Sequence, residues 1–402
     1  MRSCPENASP LPIVRLLPRK HRRFKTGHPW IYANEIEMTP ELKLLPAGEL
    51  VAVANSGGDL LGTALFNPRS LIVARGVSNE PGQLFDRELI SRRLEEALSL
   101  RERLFDAPYY RLVHAEADRL PGLIVDRYGD VIVCQANSAG VERVEGELLE
   151  CLDELIGPRA VVMRNDSQVR ALEGLEADVR LARGSIDGPI EVRENGSVFL
   201  TDLTGGQKTG WFFDQRDNRS HMARLSRGAR VLDLYSYLGG FGIQAAAAGA
   251  DHVTLVDRSE QALSLAERSA DLNGVSARCS FVRASAFEEM ERLGKAGERF
   301  DVVVADPPAF VRSRKDLAAG LRGYRKMVRL AAGLVRAKGF LFAASCSHHA
   351  SPELFAEQVR HGLADAGRSG RILRSAGAGP DHPVHPFLPE SAYLKAEALQ
   401  LD

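Results

Sequence analysis

Val231-Leu232-Asp233-Leu234-Tyr235-Ser236-Tyr237-Leu238-Gly239-Gly240-Phe241-Gly242 is a short apolar run ending in an acid, followed by a turn with three glycines. The next residues, Ile243 to Gly249, are rich in alanine and read as a helix. Strand, glycine turn and helix in that order is how an α/β protein brings backbone N–H groups up to a ligand. The following apolar run, His252 to Val256, ends in Asp257, where such folds carry an acid for ribose hydroxyls. Together they predict a site for a nucleoside-containing cofactor. A glycine turn after a first strand is common, so the stretch decides the fold class before it decides the ligand.

Spacing narrows the ligand. A dinucleotide fingerprint places G-x-G-x-x-G directly after the strand. Here an acid at the strand end and a polar-aromatic segment precede Gly239, Gly240 and Gly242. The order D-x-x-x-x-x-G-G-x-G resembles motif I of class I S-adenosylmethionine (SAM) methyltransferases. SAM has no pyrophosphate and needs no phosphate cradle, while its cationic methionine end favours a nearby carboxylate.

Outward from this stretch, strand and helix patterns alternate from about Gln207 to the C-terminus. Predicted strands are 230–234, 252–256, 279–282, 300–305 and 339–344, with late strands at 371–376 and 391–396. Predicted helices are 239–249, 259–273, 285–293, 317–334 and 352–366. Regular βα alternation implies a seven-stranded, mostly parallel sheet, a Rossmann-like α/β domain over 206–402 with ligands at the carboxyl ends of the strands. Asp233, Asp257, Ser285, Asp306 and Cys346 all fall at that edge.

Upstream, residues 1–10 read as disordered. Residues 11–86 carry short strands (13–16, 50–54, 60–65, 71–76) between turn signals such as Ser56-Gly57-Gly58-Asp59. This is a small β-barrel or sandwich. Its stretch Gly27-His28-Pro29-Trp30-Ile31-Tyr32-Ala33-Asn34 resembles the entry to a PUA domain, an RNA-binding barrel; Trp30 is expected in the core and the preceding basic loop on the RNA side. Residues 87–205 form a central α+β domain, with helices at 87–105 and 139–155 and strands at 110–114, 122–125, 131–135, 160–164, 190–192 and 198–201. The stretch Leu120 to Tyr128 reads as structural.

The 402 residues allow two or three domains, and 44% apolar with 26% charged residues is ordinary for a globular chain. No run of eighteen apolar residues occurs, so no membrane span is expected, and Met1 to Pro12 shows no secretory signal. Five scattered cysteines suggest reduced thiols in a cytoplasmic setting. Net charge is −1, yet basic residues cluster. Arg15, Arg19, Lys20, Arg22, Arg23 and Lys25 stand together without an acid, and Arg312 to Arg329 holds seven basic residues against Asp316. Two such clusters in a neutral chain point to a polyanionic partner.

Cys346 lies in Ser345-Cys346-Ser347-His348-His349, past a predicted strand end among polar neighbours. A buried cysteine is usually an inert small hydrophobe, and Cys134, Cys151 and Cys279 are read that way. At Cys346, His348 or His349 could favour the thiolate. Carbon 5 of cytosine is too weak a nucleophile to attack SAM; thiolate addition at carbon 6 makes the ring enamine-like and splits one hard step into easier ones. Asp306, in Asp306-Pro307-Pro308, would stabilise the adduct near N3. Cys346, His348, His382 and His385 lack the tight paired spacing of a metal site, so no metal is expected.

The segments Lys208-Thr209-Gly210-Trp211-Phe212-Phe213-Asp214-Gln215-Arg216-Asp217-Asn218-Arg219, Asp306-Pro307-Pro308-Ala309-Phe310, Arg322-Gly323-Tyr324, Ser345-Cys346-Ser347 and Asp381-His382-Pro383, with the motif I stretch, resemble in order a bacterial family of large-subunit rRNA cytosine-5 methyltransferases. The resemblance implies a PUA domain, a central α+β domain and a SAM domain that methylates carbon 5, with Cys346 as nucleophile and Gln215 and Arg216 beside the cofactor. The expected cofactor-binding set is Gln215, Arg216, Asp233, Tyr235, Gly239, Gly240, Phe241, Asp257, Arg258, Ser285, Ala286 and Asp306. The expected RNA contacts are Arg19, Lys20, Arg22, Arg23, Lys25, Arg312, Arg314, Lys315, Arg322 and Tyr324, with large-subunit rRNA as partner; a homodimer is compatible with the sequence. Ser285 stands where the family often has an acid, which would weaken the adenine contact. Two other readings stay open. An amino (N-) methyltransferase would use Asp306-Pro307-Pro308, although there an aromatic follows at once and here Ala309 intervenes. A non-catalytic RNA-binding assembly factor would retain SAM binding without turnover.

Overall fold

The computed structural model describes residues 11–205 and 210–402; the segment 1–10, and Lys208 and Thr209 of the matched motif, lie outside the described residues. The chain divides into two compact units, one reaching Ile186 and including Pro383–Pro389, the other Asp187–His382 with Glu390–Asp402.

In the first unit, strands Ile13–Arg15, Trp30–Tyr32, Glu49–Ala54, Leu60–Phe66 and Ile72–Ser78 form one sheet. Trp30–Tyr32 and Ile13–Arg15 lie at opposite ends of the strand order. The chain leaving Tyr32 returns to the far edge, where Leu17 N donates to Glu35 O at 2.8 Å and Glu37 N to Arg15 O at 2.9 Å. That return covers the Ile13–Arg15 edge, and the sheet encloses Val14, Val51, Phe66 and Val73. Two expectations change here. The basic segment is a short helix, His21–Lys25, because Phe24 is drawn into the barrel core. Trp30 is half-buried rather than central: its Nε1 donates to Glu116 Oε1 at 2.7 Å, an acceptor that an apolar interior lacks.

The same unit holds a second sheet of Tyr109–His114, Leu123–Tyr128, Val131–Ala136, Ala160–Asn165 and Asp178–Gly184, against which Arg87–Leu104 and Glu145–Ile156 pack. The edge strand Asp178–Gly184 has no counterpart in the sequence reading, since most of its side chains are exposed and no buried face patterns it. The single helix expected over 139–155 is broken at Val144 into Ala139–Arg143 and Glu145–Ile156.

The second unit begins earlier than residue 206. The hairpin Ile190–Glu194/Ser197–Thr201 belongs to it because the hairpin is bound to the helix Glu260–Leu272 and its C-cap. Leu200 N donates to Ser269 Oγ and Val198 N to Asn273 Oδ1, both at 3.0 Å. The seven-stranded sheet has the order 279–283, 252–257, 230–234, 300–305, 335–345, 395–401, 370–376. The first five strands are parallel, and 395–401 runs antiparallel to both neighbours. The last strand starts at Lys395 rather than 391 because Pro389–Ser391 forms a 3-10 turn. The helix Leu317–Leu334 buries Tyr324, Met327, Val328 and Ala331 on the sheet and against Phe355 and Val359. Full burial of Met327 and Val328 contributes about 1.5–3 kcal/mol each, and the single methyl of Ala331 about 0.8 kcal/mol. Among the described residues no helix is long and apolar enough to cross a membrane.

Candidate active site

Parallel pairing of 279–283, 252–257, 230–234, 300–305 and 335–345 puts their carboxyl ends on one edge. Asp233, Asp257, Ser285, Asp306 and Cys346 therefore share the edge that the sequence assigned them. Each lies within two residues of its strand end.

The glycine turn is tightly specified. Tyr235 and Tyr237 have φ of 62° and 49° and Gly239 has 80°, left-handed values that side-chain-bearing residues rarely adopt. What holds them is a pair of carboxylates. Asp233 Oδ2 accepts from Gly242 N at 2.8 Å at the start of the helix Gly240–Ala247. Asp257 Oδ2 accepts from Tyr237 N at 2.9 Å and its Oδ1 from Ser259 N at 2.8 Å. Strain concentrated in a ligand-facing loop suits a site that must be preformed. Burial raises Asp233 from a usual pKa near 3.8 to about 8, with the Gly242 N–H opposing. The glycines themselves answer to the protein's own packing: a Cβ on Gly240 would lie 2.9 Å from Arg219 Cδ, and one on Gly242 2.9 Å from Leu255.

The residues around this loop fit a nucleoside cofactor with an amino-acid end. Gln215 Nε2, Tyr235 Oη and Ser236 Oγ are buried polar atoms with no hydrogen-bond partner among the described residues. Buried polar groups are normally satisfied, so the two such atoms on this loop and the one on Gln215 are candidates for a ligand's partners. Asp257 is half-exposed, and each of its oxygens keeps acceptor capacity beyond the backbone bond. Ser285 is the N-cap of Ala286–Lys295, yet its side chain makes no capping bond. Ala286 and Phe241 are buried, Arg258 is exposed, and Arg216 lies over the Phe213 ring at 5.5 Å.

At the next two strand ends, two loops are bolted together around Cys346. Its Sγ lies 4.0 Å from the Pro307 carbonyl oxygen, bringing the thiol onto the Asp306-Pro307-Pro308 turn. The flanking serines fix it there. Ser345 Oγ donates to Tyr324 Oη at 2.8 Å, Tyr324 Oη and Ser347 Oγ share a bond of 2.8 Å, and Val311 N donates to Ser347 Oγ at 3.1 Å. Tyr324, expected to contact RNA, is fully buried and serves as this bolt instead. Gly320 and Gly323 let its helix approach: a Cβ on Gly320 would lie 2.4 Å from Val311 Cγ2 and one on Gly323 3.1 Å from Phe310.

Several participants had no assigned role in the sequence reading. Lys395 is buried, and its Nζ donates to Ser347 O at 2.6 Å and Tyr393 O at 2.8 Å. Tyr393 Oη donates to Asp214 Oδ2 at 2.5 Å and its ring stacks on His348 at 5.2 Å. Asp381 and His382 form a buried pair at 2.9 Å. Glu194 is a buried hub accepting from Trp211 Nε1 at 2.9 Å, Arg219 Nε at 2.6 Å and Gln244 Nε2 at 3.0 Å. Apart from Asp381 with His382 and Lys395 with Tyr393, the partners stand far apart in the chain. Asp214, Trp211, Arg219 and Asp381-His382 lie in the segments that carry the family resemblance and His348 adjoins Cys346, whereas Lys395, Tyr393, Glu194 and Gln244 gave no signal. Among the described residues no group of three or more His, Cys, Asp or Glu side chains is placed to hold a metal ion.

The basic residues divide. Arg19, Lys20, Arg22, Lys25, Arg312, Arg314, Lys315 and Arg322 are exposed. Arg23 is also exposed but engaged, with Nη1 3.1 Å from Glu35 Oε1 and its guanidinium over Tyr32 at 5.4 Å.

Two family models match the chain: an S-adenosylmethionine-dependent methyltransferase model over residues 141–370 and a PUA-like domain model over residues 14–79. Similar relatives include the ribosomal RNA large subunit methyltransferase I of Tolumonas auensis, 37% identical over 389 residues, covering 95% of this chain and 97% of the relative. The protein of that name from Klebsiella pneumoniae is 34% identical, covering 97% of this chain and 98% of its own. Among solved structures, one from Streptococcus mutans described as a SAM-dependent methyltransferase superposes with a TM-score of 0.82 at 20% identity, covering 97% of this chain and 100% of that one. A second, solved as a complex with SAH, superposes with a TM-score of 0.83 at 19% identity, covering 98% and 100%. At these identities the two structures show the shared fold.

Proposed function

The chain belongs to the S-adenosylmethionine-dependent methyltransferase family, and from that premise we propose that it methylates carbon 5 of a cytosine in large-subunit ribosomal RNA through Cys346. The observation that carries this reading is the Cys346 thiol against the Pro307 carbonyl, at the edge that also holds Asp257 and Asp306. The relatives' printed names supply the substrate class.

SAM supplies an electrophilic methyl group. Gln215, Tyr235 and Ser236 offer the unpartnered polar atoms for it, Asp257 the ribose acceptor, and Ser285 and Ala286 the edge beside the adenine. Cys346 adds as thiolate to carbon 6 of the cytosine, and the carbon 5–carbon 6 π electrons become a nucleophile at carbon 5. Asp306 stabilises the adduct near N3. Carbon 5 takes the methyl group, the sulfonium leaves as a neutral thioether, and a base removes the carbon-5 proton. The C–S bond then breaks and returns the thiolate. The exposed basic residues at 19–25 and 312–322 hold the phosphate backbone, which fixes register without reading bases. A cytoplasmic setting is the reading that the four free cysteines among the described residues support. Pairing of two copies would draw on the exposed edge strand Gly370–Ala376, where Ile372 and Leu373 lie uncovered.

The test is incubation with methyl-labelled SAM and unmodified ribosomal RNA, then nucleoside analysis. Label in 5-methylcytidine is expected, and Cys346→Ala abolishes it while SAM affinity stays nearly unchanged. Label in a methylated amino group, with the alanine variant fully active, would return Cys346 to a packing role. It would give Asp306-Pro307-Pro308 the central one.

A further inference from the structure

Lys395 pairs with Ser345 across the antiparallel strands, beside the residue that precedes Cys346. It is 7% exposed. A lysine at that depth normally has an acidic partner, yet among the described residues Lys395 forms no ion pair with a carboxylate. Two of its three donors are spent on the Ser347 and Tyr393 carbonyls, at 2.6 and 2.8 Å, which fixes the ammonium in space. The titratable groups facing it are Cys346 and His348, both on the segment leaving the 335–345 strand. Of these two, only the thiol can carry a negative charge. Burial lowers the ammonium pKa to about 8, and the attraction of a Cys346 thiolate works against that lowering.

We propose that Lys395 is a positioning residue for the reaction proposed above: its fixed ammonium holds Cys346 as thiolate, and its two carbonyl bonds hold the loop that carries the sulfur. The proposal rests on Cys346 being the nucleophile. It adds the counter-charge, so that the thiolate is available before cytosine arrives and is received again when the C–S bond breaks. Ser347 O is the mechanical half of the device, because Ser347 Oγ is tied to Tyr324 and Val311 N.

The test reads the sulfur directly. Full-length protein is alkylated with iodoacetamide across a pH series, and modification of the Cys346 peptide is followed by mass spectrometry. Lys395→Gln keeps donors for both carbonyls and removes the charge; Lys395→Arg keeps the charge. The glutamine variant is expected to react about tenfold more slowly at neutral pH, with its pH midpoint raised by about one unit, and arginine to restore most of the rate. Unchanged SAM affinity in the variants shows that the fold is kept. An identical midpoint in wild type and the glutamine variant overturns the proposal. Should the glutamine variant fail to fold, wild type decides: a Cys346 midpoint equal to that of the urea-unfolded chain overturns it equally. Failure of the cytosine reading is separate, since 5-methylcytidine analysis and the alkylation series report on different events.

Discussion

At Asp233 the fold holds a carboxyl where burial opposes its charge, raising its pKa from near 3.8 to about 8, while the Gly242 N–H it accepts favours the anion. Between those values the native state binds a proton that the unfolded chain has released. The stability this group lends is therefore full below about 4 and is lost as pH rises through about 8. Thermal unfolding of the ligand-free protein should show a decline over that window, and Asp233→Asn should flatten it. An unchanged pH profile in the variant would mean that the proton resides elsewhere. If the proposed SAM site seats its cationic end against this carboxyl, SAM binding near neutral pH should release a proton, read by calorimetry in buffers of different ionisation enthalpy.

Among the elements, the helix Leu317–Leu334 does the least expected work. Its Tyr324 hydroxyl meets Ser345 Oγ and Ser347 Oγ at 2.8 Å each and accepts from Phe310 N at 3.4 Å. Removing that one oxygen in Tyr324→Phe leaves buried hydroxyls short of partners, at about 1–3 kcal/mol. Thermal melts should register that loss. Methyl transfer should fall more than SAM affinity, because the loosened loops carry Cys346 and Asp306 rather than the glycine turn. Equal losses in both would place the hydroxyl's influence on the cofactor loop.

Across the whole molecule the charge balance hides the partner. A chain of net charge −1 keeps exposed cations at 19–25 and 312–322. If these meet phosphates, salt lowers RNA affinity steeply, and each lost contact reduces the log–log slope by about 0.7 on single strands. Arg22→Ala with Lys25→Ala, and separately Arg314→Ala with Arg322→Ala, should each flatten the slope. Arg23→Ala is the contrast, since its partner is Glu35 and its loss should act on the barrel. Slopes identical to wild type in both double variants would show that these side chains face solvent alone.

The sequence by itself determined the α/β sheet, the identity of its strand-end acids and the cysteine. Local periodicity and turn chemistry carry that information, and parallel pairing then forces strand ends to one edge. It was silent where burial is set by distant partners. Arg322 and Tyr324 both stand among the expected RNA contacts, yet the helix face turns Tyr324 inward while its charges stay out. Trp30 was read as core, and Glu116, far along the chain, drew its N–H outward. The hairpin Ile190–Thr201 looked continuous with the strands before it until Ser269 and Asn273 claimed it. Lys395 carried no motif at all. Only the antiparallel register of the last strand against 335–345 brought that ammonium to the loop of Cys346, because a sheet joins residues by hydrogen-bond pairing whatever their separation in the chain.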